Sequence, residues 1–118
     1  MKVKRKEYDF VVGVPCSKFK DIIDYDKAII ATREDEAVAM AVGAYFCGKK
    51  PLVFMQNSGL MNSMEIITSL LKPYDISIPL LISVRNKPEH HKFCGKITKK
   101  ILKLLKYYNV ILVEKDND

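Results

Sequence analysis

The chain has 118 residues, 48% of them apolar, and a formal net charge of +6. This length and composition are typical of one globular domain with a substantial core, and they exclude a disordered or fibrous chain. No apolar run approaches the roughly 18 residues of a membrane span, and no signal-peptide pattern follows the basic N-terminus, so we expect a cytoplasmic protein.

Five short apolar runs predict five β-strands, at residues 10–15, 28–32, 51–55, 79–84 and 110–113. Their apolar character is continuous rather than alternating, which indicates strands covered on both faces, as in a parallel sheet. Helix-period segments lie between them, at residues 17–25, 34–47, 61–72 and 96–107. This alternation predicts an α/β fold: an open, doubly wound, mainly parallel sheet of about five strands with helices on both faces. No linker or repeat interrupts residues 1–118, which we expect to form a single domain.

Two of the predicted helices have clear sequence features. The helix at 34–47 is followed by Gly48, which is placed to cap its C-terminus. The helix at 96–107 has an apolar stripe and an opposite lysine face; the stripe comprises Ile97, Ile101, Leu104, Leu105 and Tyr108. Lysines in this pattern most often form a solvated face, and the absence of interleaved arginines and aromatics does not favour nucleic-acid binding.

The cysteines and histidines do not form a metal or disulfide pattern. Cys16, Cys47 and Cys94 are odd in number, far apart and without a CxxC pair, which indicates reduced thiols. His90 and His91 lack the spacing of metal ligands, although neighbouring imidazoles could carry protons or contact an anion. We therefore predict no metal site in this chain.

Polar residues follow the predicted strands at 15–17, 32–34, 56–59 and 85–86. Because ligands of open parallel sheets bind beyond the carboxyl ends of the strands, these residues predict a site at that edge. Glu34 is the most informative of them, since it opens a helix within the acidic triplet 34–36. The helix dipole alone explains an acid at this position, so a structural role and a functional role both stay open.

The residues at this edge carry a resemblance. The motifs concerned are Val-Pro-Cys-Ser at 14–17, Thr-Arg-Glu-Asp-Glu-Ala-Val-Ala at 32–39 and Met-Gln-Asn-Ser-Gly-Leu-Met-Asn at 55–62, together with residues 78–81 and Arg85. They resemble the pyrimidine-binding domain of thiamine-diphosphate-dependent 2-oxoacid decarboxylases, and among these the sulfopyruvate decarboxylase alpha subunits and phosphonopyruvate decarboxylases. The similarity extends from about residue 10 to about residue 113.

The resemblance implies specific roles. Glu34 would be the catalytic acid, hydrogen-bonded in a dry pocket to N1′ of the cofactor's aminopyrimidine. The residues implied to line the cofactor pocket are Asn57, Ser58, Gly59 and Asn62, and those implied to contact the substrate are Ser17, Arg85 and His91. The cofactor would be thiamine diphosphate, shared with a partner subunit that binds Mg²⁺.

The implied function is that of an alpha subunit of a decarboxylase that converts sulfopyruvate to sulfoacetaldehyde and CO₂, a step in coenzyme M biosynthesis. The chain contains no Gly-Asp-Gly motif for the diphosphate and its metal, so we expect a hetero-oligomer with a diphosphate-binding beta subunit, and no nucleic-acid or membrane partner. Three alternatives stay open: a phosphonopyruvate decarboxylase subunit, a truncated non-catalytic interaction module and a small-anion-binding protein.

Overall fold

A computed structural model describes residues 7–114, and five strands within this range form one parallel sheet. The strands are β1 (Phe10–Gly13), β2 (Ile29–Ile30), β3 (Pro51–Gln56), β4 (Leu80–Ser83) and β5 (Val110–Val113). Their order is β2-β1-β3-β4-β5, and every neighbouring pair is parallel. The predicted α/β class and five-stranded parallel sheet are therefore confirmed. The single-domain assignment for residues 1–118 stays a prediction, since both ends lie outside the described residues.

The helices are divided unequally between the two faces of the sheet. They are α1 (Glu34–Phe46), α2 (Asn57–Asn62), α3 (Met64–Ile66), which continues into a π-helical turn (Ile67–Leu71), and α4 (Glu89–Leu105). Residues from α1, α2, the π-helical turn and α4 join the larger core cluster with Val12, Val53 and Ile82 of the sheet. The opposite face, around Leu52 and Phe54, is covered by Phe19 of a short 3₁₀ helix (Ser17–Phe19) and by residues after it.

The prediction of a helix over residues 17–25 is wrong. Only the 3₁₀ helix Ser17–Phe19 forms there, and the chain then turns back on itself. The Tyr25 hydroxyl accepts a hydrogen bond from the Cys16 amide (3.2 Å) and donates one to the Cys16 carbonyl (2.9 Å). These bonds close residues 16–25 into a loop, which places Phe19 and Ile23 on the sheet without a full helix.

The other helices are found where the sequence predicts helices: α1 begins at Glu34 as predicted, and the two later ones begin earlier than predicted. The α1 helix ends at Phe46, and Gly48 adopts a left-handed φ of +85° with its amide bonded to the Tyr45 carbonyl, so the predicted glycine cap is confirmed. The second segment begins at Asn57 rather than 61, and α4 begins at Glu89 rather than 96.

The rotation of α4 also differs from the predicted apolar stripe. Leu104 is 82% exposed, whereas Thr98 and Leu102 are buried; Tyr108, which is 75% exposed, lies beyond the end of α4. The Asn57 side-chain amide donates to the Thr98 hydroxyl at 3.0 Å, and this buried bond fixes which face of α4 turns toward the sheet. Within residues 7–114, no helix combines the length and apolar character needed to cross a membrane.

Candidate active site

The predicted site residues lie at the carboxyl edge of the sheet, as the parallel topology requires. The α2 helix begins directly after β3 and joins two groups of residues there. Its first residue, Asn57, contacts the loop that follows β4, and its last residue, Asn62, contacts the N-terminus of α1. Gln56, the last residue of β3, contacts Cys16 in the loop that follows β1. The short helix α2 is thus the structural link between the predicted cofactor and substrate residues.

Glu34 is partly buried and lies against α2. It is the first residue of α1, and its Oε1 accepts a hydrogen bond of 3.1 Å from the side-chain amide of Asn62. A carboxylate held by one amide donor keeps lone pairs for a further polar partner. The structure therefore places Glu34 beside the 57–62 segment, as the resemblance implies, and leaves part of its side chain accessible.

Gly59 makes room for the Glu34 side chain. A Cβ at Gly59 would lie 2.2 Å from Glu34 Cγ and 2.9 Å from Glu34 Oε2, distances that no real side chain tolerates. Ser63, one turn further on, donates its hydroxyl to the Gly59 carbonyl at 2.9 Å and fixes this turn of the backbone. The glycine predicted to contact the cofactor thus has a more direct role here: it sets where the glutamate lies.

The three acids of the triplet 34–36 have three different sets of contacts. Asp35 accepts a hydrogen bond from Arg33 Nε at 3.1 Å. This guanidinium holds the pKa of the Asp35 carboxyl below its usual value, and the same pairing raises the pKa of Arg33. Glu36 Oε1 accepts from the Thr32 amide (2.9 Å) and hydroxyl (3.1 Å). Glu34 alone among the three contacts α2, which separates it from the two acids with local structural roles.

Asn57 is buried, and its contacts are with protein. Its Nδ2 donates to the Arg85 carbonyl and to Thr98 Oγ1, both at 3.0 Å, while its Oδ1 accepts from the Arg85 amide at 3.1 Å. These bonds join α2, the loop after β4 and α4. Asn57 therefore holds the backbone at Arg85 in place, and in this conformation its side chain has no surface free for a cofactor.

Gln56 is a residue of the site that the predicted roles omitted. Its Oε1 lies 3.2 Å from Arg85 Nη1 and 3.5 Å from Cys16 Sγ, and its Nε2 lies 3.5 Å from Ser58 Oγ. Ser83, the last residue of β4, donates to Cys16 Sγ at 3.3 Å. The position of Gln56 within the Met-Gln-Asn-Ser-Gly stretch was the signal that could have identified it.

The remaining predicted substrate residues are placed differently from one another. Ser17 is exposed at the start of the 3₁₀ helix after β1. His91 lies in the first turn of α4 rather than in a loop, with its ring 4.1 Å from that of His90. Arg85 borders an open groove of about 830 Å³ whose lining also includes Lys87, Lys92 and Lys96. The surface around Arg85 is therefore basic.

Within residues 7–114, no group of three or more histidine, cysteine, aspartate or glutamate side chains is placed to hold a metal ion. A second cleft in this part of the chain, of about 780 Å³, lies beside Tyr8, Asp9 and Asp21 and contains none of the predicted site residues. The described residues at this edge offer a carboxylate, amides, hydroxyls, an arginine, a histidine and the Cys16 thiol.

Comparison with known proteins identifies similar sequences. The sulfopyruvate decarboxylase subunit alpha of Methanocaldococcus jannaschii is 45% identical over 89 residues, which cover 70% of this chain and 53% of that subunit. The subunit of the same name from Methanococcus maripaludis is 41% identical over 80% of this chain and 62% of its own length. The phosphonopyruvate decarboxylase of Streptomyces viridochromogenes is 34% identical over 80% of this chain and 26% of its own length.

No family model matches the chain. The chain spans between half and two thirds of the length of the alpha subunits to which it is similar.

Proposed function

From the premise that this chain is a homologue of sulfopyruvate decarboxylase alpha subunits, we propose that it is the alpha subunit of a thiamine-diphosphate-dependent decarboxylase. The substrate would be sulfopyruvate and the products sulfoacetaldehyde and CO₂, a step in coenzyme M biosynthesis in the cytoplasm. In this proposal residues 1–118 are the pyrimidine-binding domain, and the enzyme is complete only with a diphosphate-binding beta subunit.

The observation that carries the proposal is the position of Glu34. Its carboxylate accepts a hydrogen bond from Asn62 and lies against Gly59, which has no side chain to displace it. Both contacts are at the carboxyl edge of the sheet, where the sequence motifs meet. Such an arrangement fits an aminopyrimidine ring, because a held carboxylate can share a proton with a ring nitrogen. When bound, thiamine diphosphate would supply a nucleophilic carbon for the keto group and would accept the electron pair that stays behind when CO₂ leaves.

The chain's own residues would orient the cofactor and exchange one proton with it. Glu34 would share the proton at N1′ of the aminopyrimidine through one carboxylate oxygen, while Asn62 holds the other. Ser58 lies one turn before Asn62 on α2. Docking of a second polypeptide over this partly exposed edge would exclude water from Glu34 and strengthen its contact with the ring.

The substrate anion would bind toward Arg85. The guanidinium is the side chain best suited to a sulfonate or carboxylate, because its planar donors match two oxygens at once. Gln56 orients it through the 3.2 Å bond to Nη1, and Asn57 fixes its backbone. Ser17, in the segment after β1, and His91, in the first turn of α4, are our candidates for further contacts with the anion.

In this proposal the diphosphate and its Mg²⁺ are bound by another chain. The sequence has no Gly-Asp-Gly motif, and residues 7–114 hold no cluster of metal ligands. We therefore assign both groups to the beta subunit, whose binding surface would face Glu34 across the cofactor. A phosphonopyruvate decarboxylase subunit is the second candidate, supported by the 34% identity to the Streptomyces protein.

Reconstitution tests this function. The chain is purified with a companion chain that contains Gly-Asp-Gly followed by Asn, and CO₂ release from sulfopyruvate and from phosphonopyruvate is measured with thiamine diphosphate and Mg²⁺. We expect release that depends on both chains and is faster with sulfopyruvate. Faster release from phosphonopyruvate would assign the second candidate function, and no release from either substrate would favour the non-catalytic module.

A further inference from the structure

The α4 helix lies directly against the backbone of the loop that follows β4, and Gly95 is the point of contact. Gly95 lies within α4, and a Cβ added to it would be 2.4 Å from Asn86 Cβ and 2.9 Å from Asn86 Cα. The same Cβ would be 3.0 Å from the Arg85 carbonyl oxygen. These atoms belong to the backbone or are bonded to it, so no side-chain rotation could make room for a methyl group.

Helix formation gives no reason for a glycine at this position. Glycine in a helix interior is less favourable than alanine, because it loses more conformational freedom on folding. Among the described residues the glycine with a positive φ is Gly48, so Gly95 does not need the left-handed region. Close approach of a second backbone is the reason that fits Gly95.

Thr98, three positions after Gly95 and therefore on the same face of α4, makes a second contact there. Its hydroxyl accepts from Asn57 Nδ2 at 3.0 Å and donates to the Cys94 carbonyl at 2.6 Å. Asn57 in turn bonds to the carbonyl and the amide of Arg85. The backbone of Arg85 is thus hydrogen-bonded to Asn57 and bordered by α4 at Gly95, and Thr98 joins these two supports.

The contact at Gly95 also sets the charge around Arg85. Lys92 and Lys96 belong to α4, and both line the open groove that Arg85 borders. A displacement of α4 at this contact would change the separation of these lysines from Arg85. It would also disturb the 3.2 Å contact between Arg85 Nη1 and Gln56 Oε1, because the Arg85 carbonyl would have to move.

We propose that Gly95 is a positioning residue of the substrate site. By allowing the backbone of residues 85–86 to lie against α4, it fixes the point from which the Arg85 guanidinium reaches the anionic group of the substrate. The inference rests on the proposed function for the identity of that anion, whereas the placement of Arg85 by Gly95 is a property of this chain alone. Gly95 acts through Arg85 and makes no contact of its own with the substrate.

Gly95→Ala tests the proposal in the reconstituted complex. We expect the KM for sulfopyruvate to rise at least about tenfold while kcat stays within about twofold, because a displaced Arg85 weakens binding of the anion rather than the chemical step. Lys100→Ala, at an exposed position of the same helix, is the control and should keep the wild-type KM. An unchanged KM in Gly95→Ala would overturn the proposal.

A second substitution separates positioning from a general loss of packing. Asn86→Gly removes the atom nearest to the added methyl group, so Gly95→Ala combined with Asn86→Gly should recover at least about threefold of the lost KM, relative to Asn86→Gly alone. A double variant no better than Gly95→Ala would contradict the proposed contact. Circular dichroism checks the folding of each variant. If Gly95→Ala does not fold, the double variant is compared with Asn86→Gly alone, and an equal KM in these two would refute the positioning role.

A measurement without catalysis keeps this inference distinct from the proposed function. The chain has three arginines, Arg5, Arg33 and Arg85, so its side-chain Nε–H signals in a ¹⁵N-correlated NMR spectrum are few, and Arg85→Lys identifies that of Arg85. In the whole chain alone, Gly95→Ala should shift the Arg85 signal, and adding Asn86→Gly should return it toward its wild-type position. An Arg85 signal that does not move would refute the proposal. Absence of CO₂ release with a shifted signal would instead remove the proposed function and leave the placement of Arg85 by Gly95 standing.

Discussion

Glu34 and Gly59 are in such close contact that the position of the glutamate depends on the absence of a side chain at the glycine. A Cβ added at Gly59 would lie 2.7 Å from the carboxyl carbon of Glu34. The two residues belong to different helices, α1 and α2, so the contact also sets how these helices meet at the carboxyl edge of the sheet.

Gly59→Ala should therefore lower kcat by about a hundredfold, because displacing a catalytic carboxyl by about an ångström has an effect of this size. The measurement is steady-state CO₂ release by the reconstituted complex, with the thermal unfolding midpoint of the chain recorded in parallel. Ser69→Ala, at an exposed position of the π-helical turn that continues from α3, is the matched control and should keep wild-type kcat. Wild-type kcat in Gly59→Ala would show that Glu34 does not need this position.

Asn62 offers a second way to change the position of Glu34 without altering the glutamate. Asn62→Ala removes the 3.1 Å hydrogen bond and should lower kcat about tenfold, consistent with the strength of a hydrogen bond to a charged group. Asn62→Asp places a second carboxylate at that distance and should lower kcat further, since like charges repel. The order wild type, Asn62→Ala, Asn62→Asp is the prediction, and equal activity of all three would contradict it.

Arg85 should affect substrate binding more than the chemical step. We expect Arg85→Ala to raise KM about 10- to 100-fold with a smaller change in kcat, because a charge-assisted contact to the anion is lost. Arg85→Lys should recover only part of the loss, since lysine cannot donate two parallel bonds. Lys100→Ala, on the exposed face of α4, controls for the general loss of positive charge. An unchanged KM in Arg85→Ala would remove the residue from the substrate site.

Tyr107 makes the stability of the fold depend on pH under alkaline conditions. Its hydroxyl accepts from the Ile78 amide at 2.7 Å and donates to the Ile78 carbonyl, and burial raises the pKa of Tyr107 to about 12. An unfolded tyrosine ionises near pH 10. The native state thus keeps a proton that the unfolded state loses, and the free energy of unfolding should fall between about pH 10 and pH 12.

Denaturant titrations at several pH values measure this effect. The loss attributable to Tyr107 should approach about 1.4 kcal/mol per pH unit within that interval, as expected for the difference of one bound proton. Tyr107→Phe should be less stable at neutral pH, by about 1–3 kcal/mol, because Ile78 loses its partner in a buried site. The variant should also show a shallower decline above pH 10. A decline equal to that of wild type would mean that other groups cause it.

The sheet was predictable from sequence because its strands are continuous apolar runs, and between helix-period segments such runs are typical of strands buried in a parallel sheet. The beginning of α4 was not predictable in the same way. Residues 89–95 are mostly polar and end in a glycine, so they lack the periodic apolar signal that defines a helix. Leu104 is exposed rather than buried because the rotation of α4 depends on long-range contacts such as the bond between Asn57 and Thr98, which are 41 positions apart. Tyr108 is exposed because α4 ends before it, at Leu105, and Lys106 adopts a left-handed conformation.

The site was partly predictable for a similar reason. Glu34 is a candidate from sequence because of its position at the start of a helix that follows a strand, together with the resemblance of the motifs. The roles of Gly59 and Asn57 depend on contacts between distant segments: one makes room for a glutamate 25 positions earlier, and the other holds the backbone of Arg85. A sequence motif indicates that such residues belong to the same site. It does not distinguish a residue that contacts a ligand from a residue that holds a neighbouring residue in position.

The Glu34→Gln variant tests the central claim most directly. In the reconstituted complex, CO₂ release from sulfopyruvate should fall by about 10²–10⁴-fold, the usual contribution of a residue that transfers a proton. The reason is that glutamine keeps the shape and hydrogen-bonding reach of the glutamate side chain but cannot share the proton. Glu65→Gln, an exposed acid of α3, should retain wild-type turnover as the matched control. Turnover by Glu34→Gln equal to that of Glu65→Gln would contradict the assignment of Glu34 as the residue that activates the cofactor.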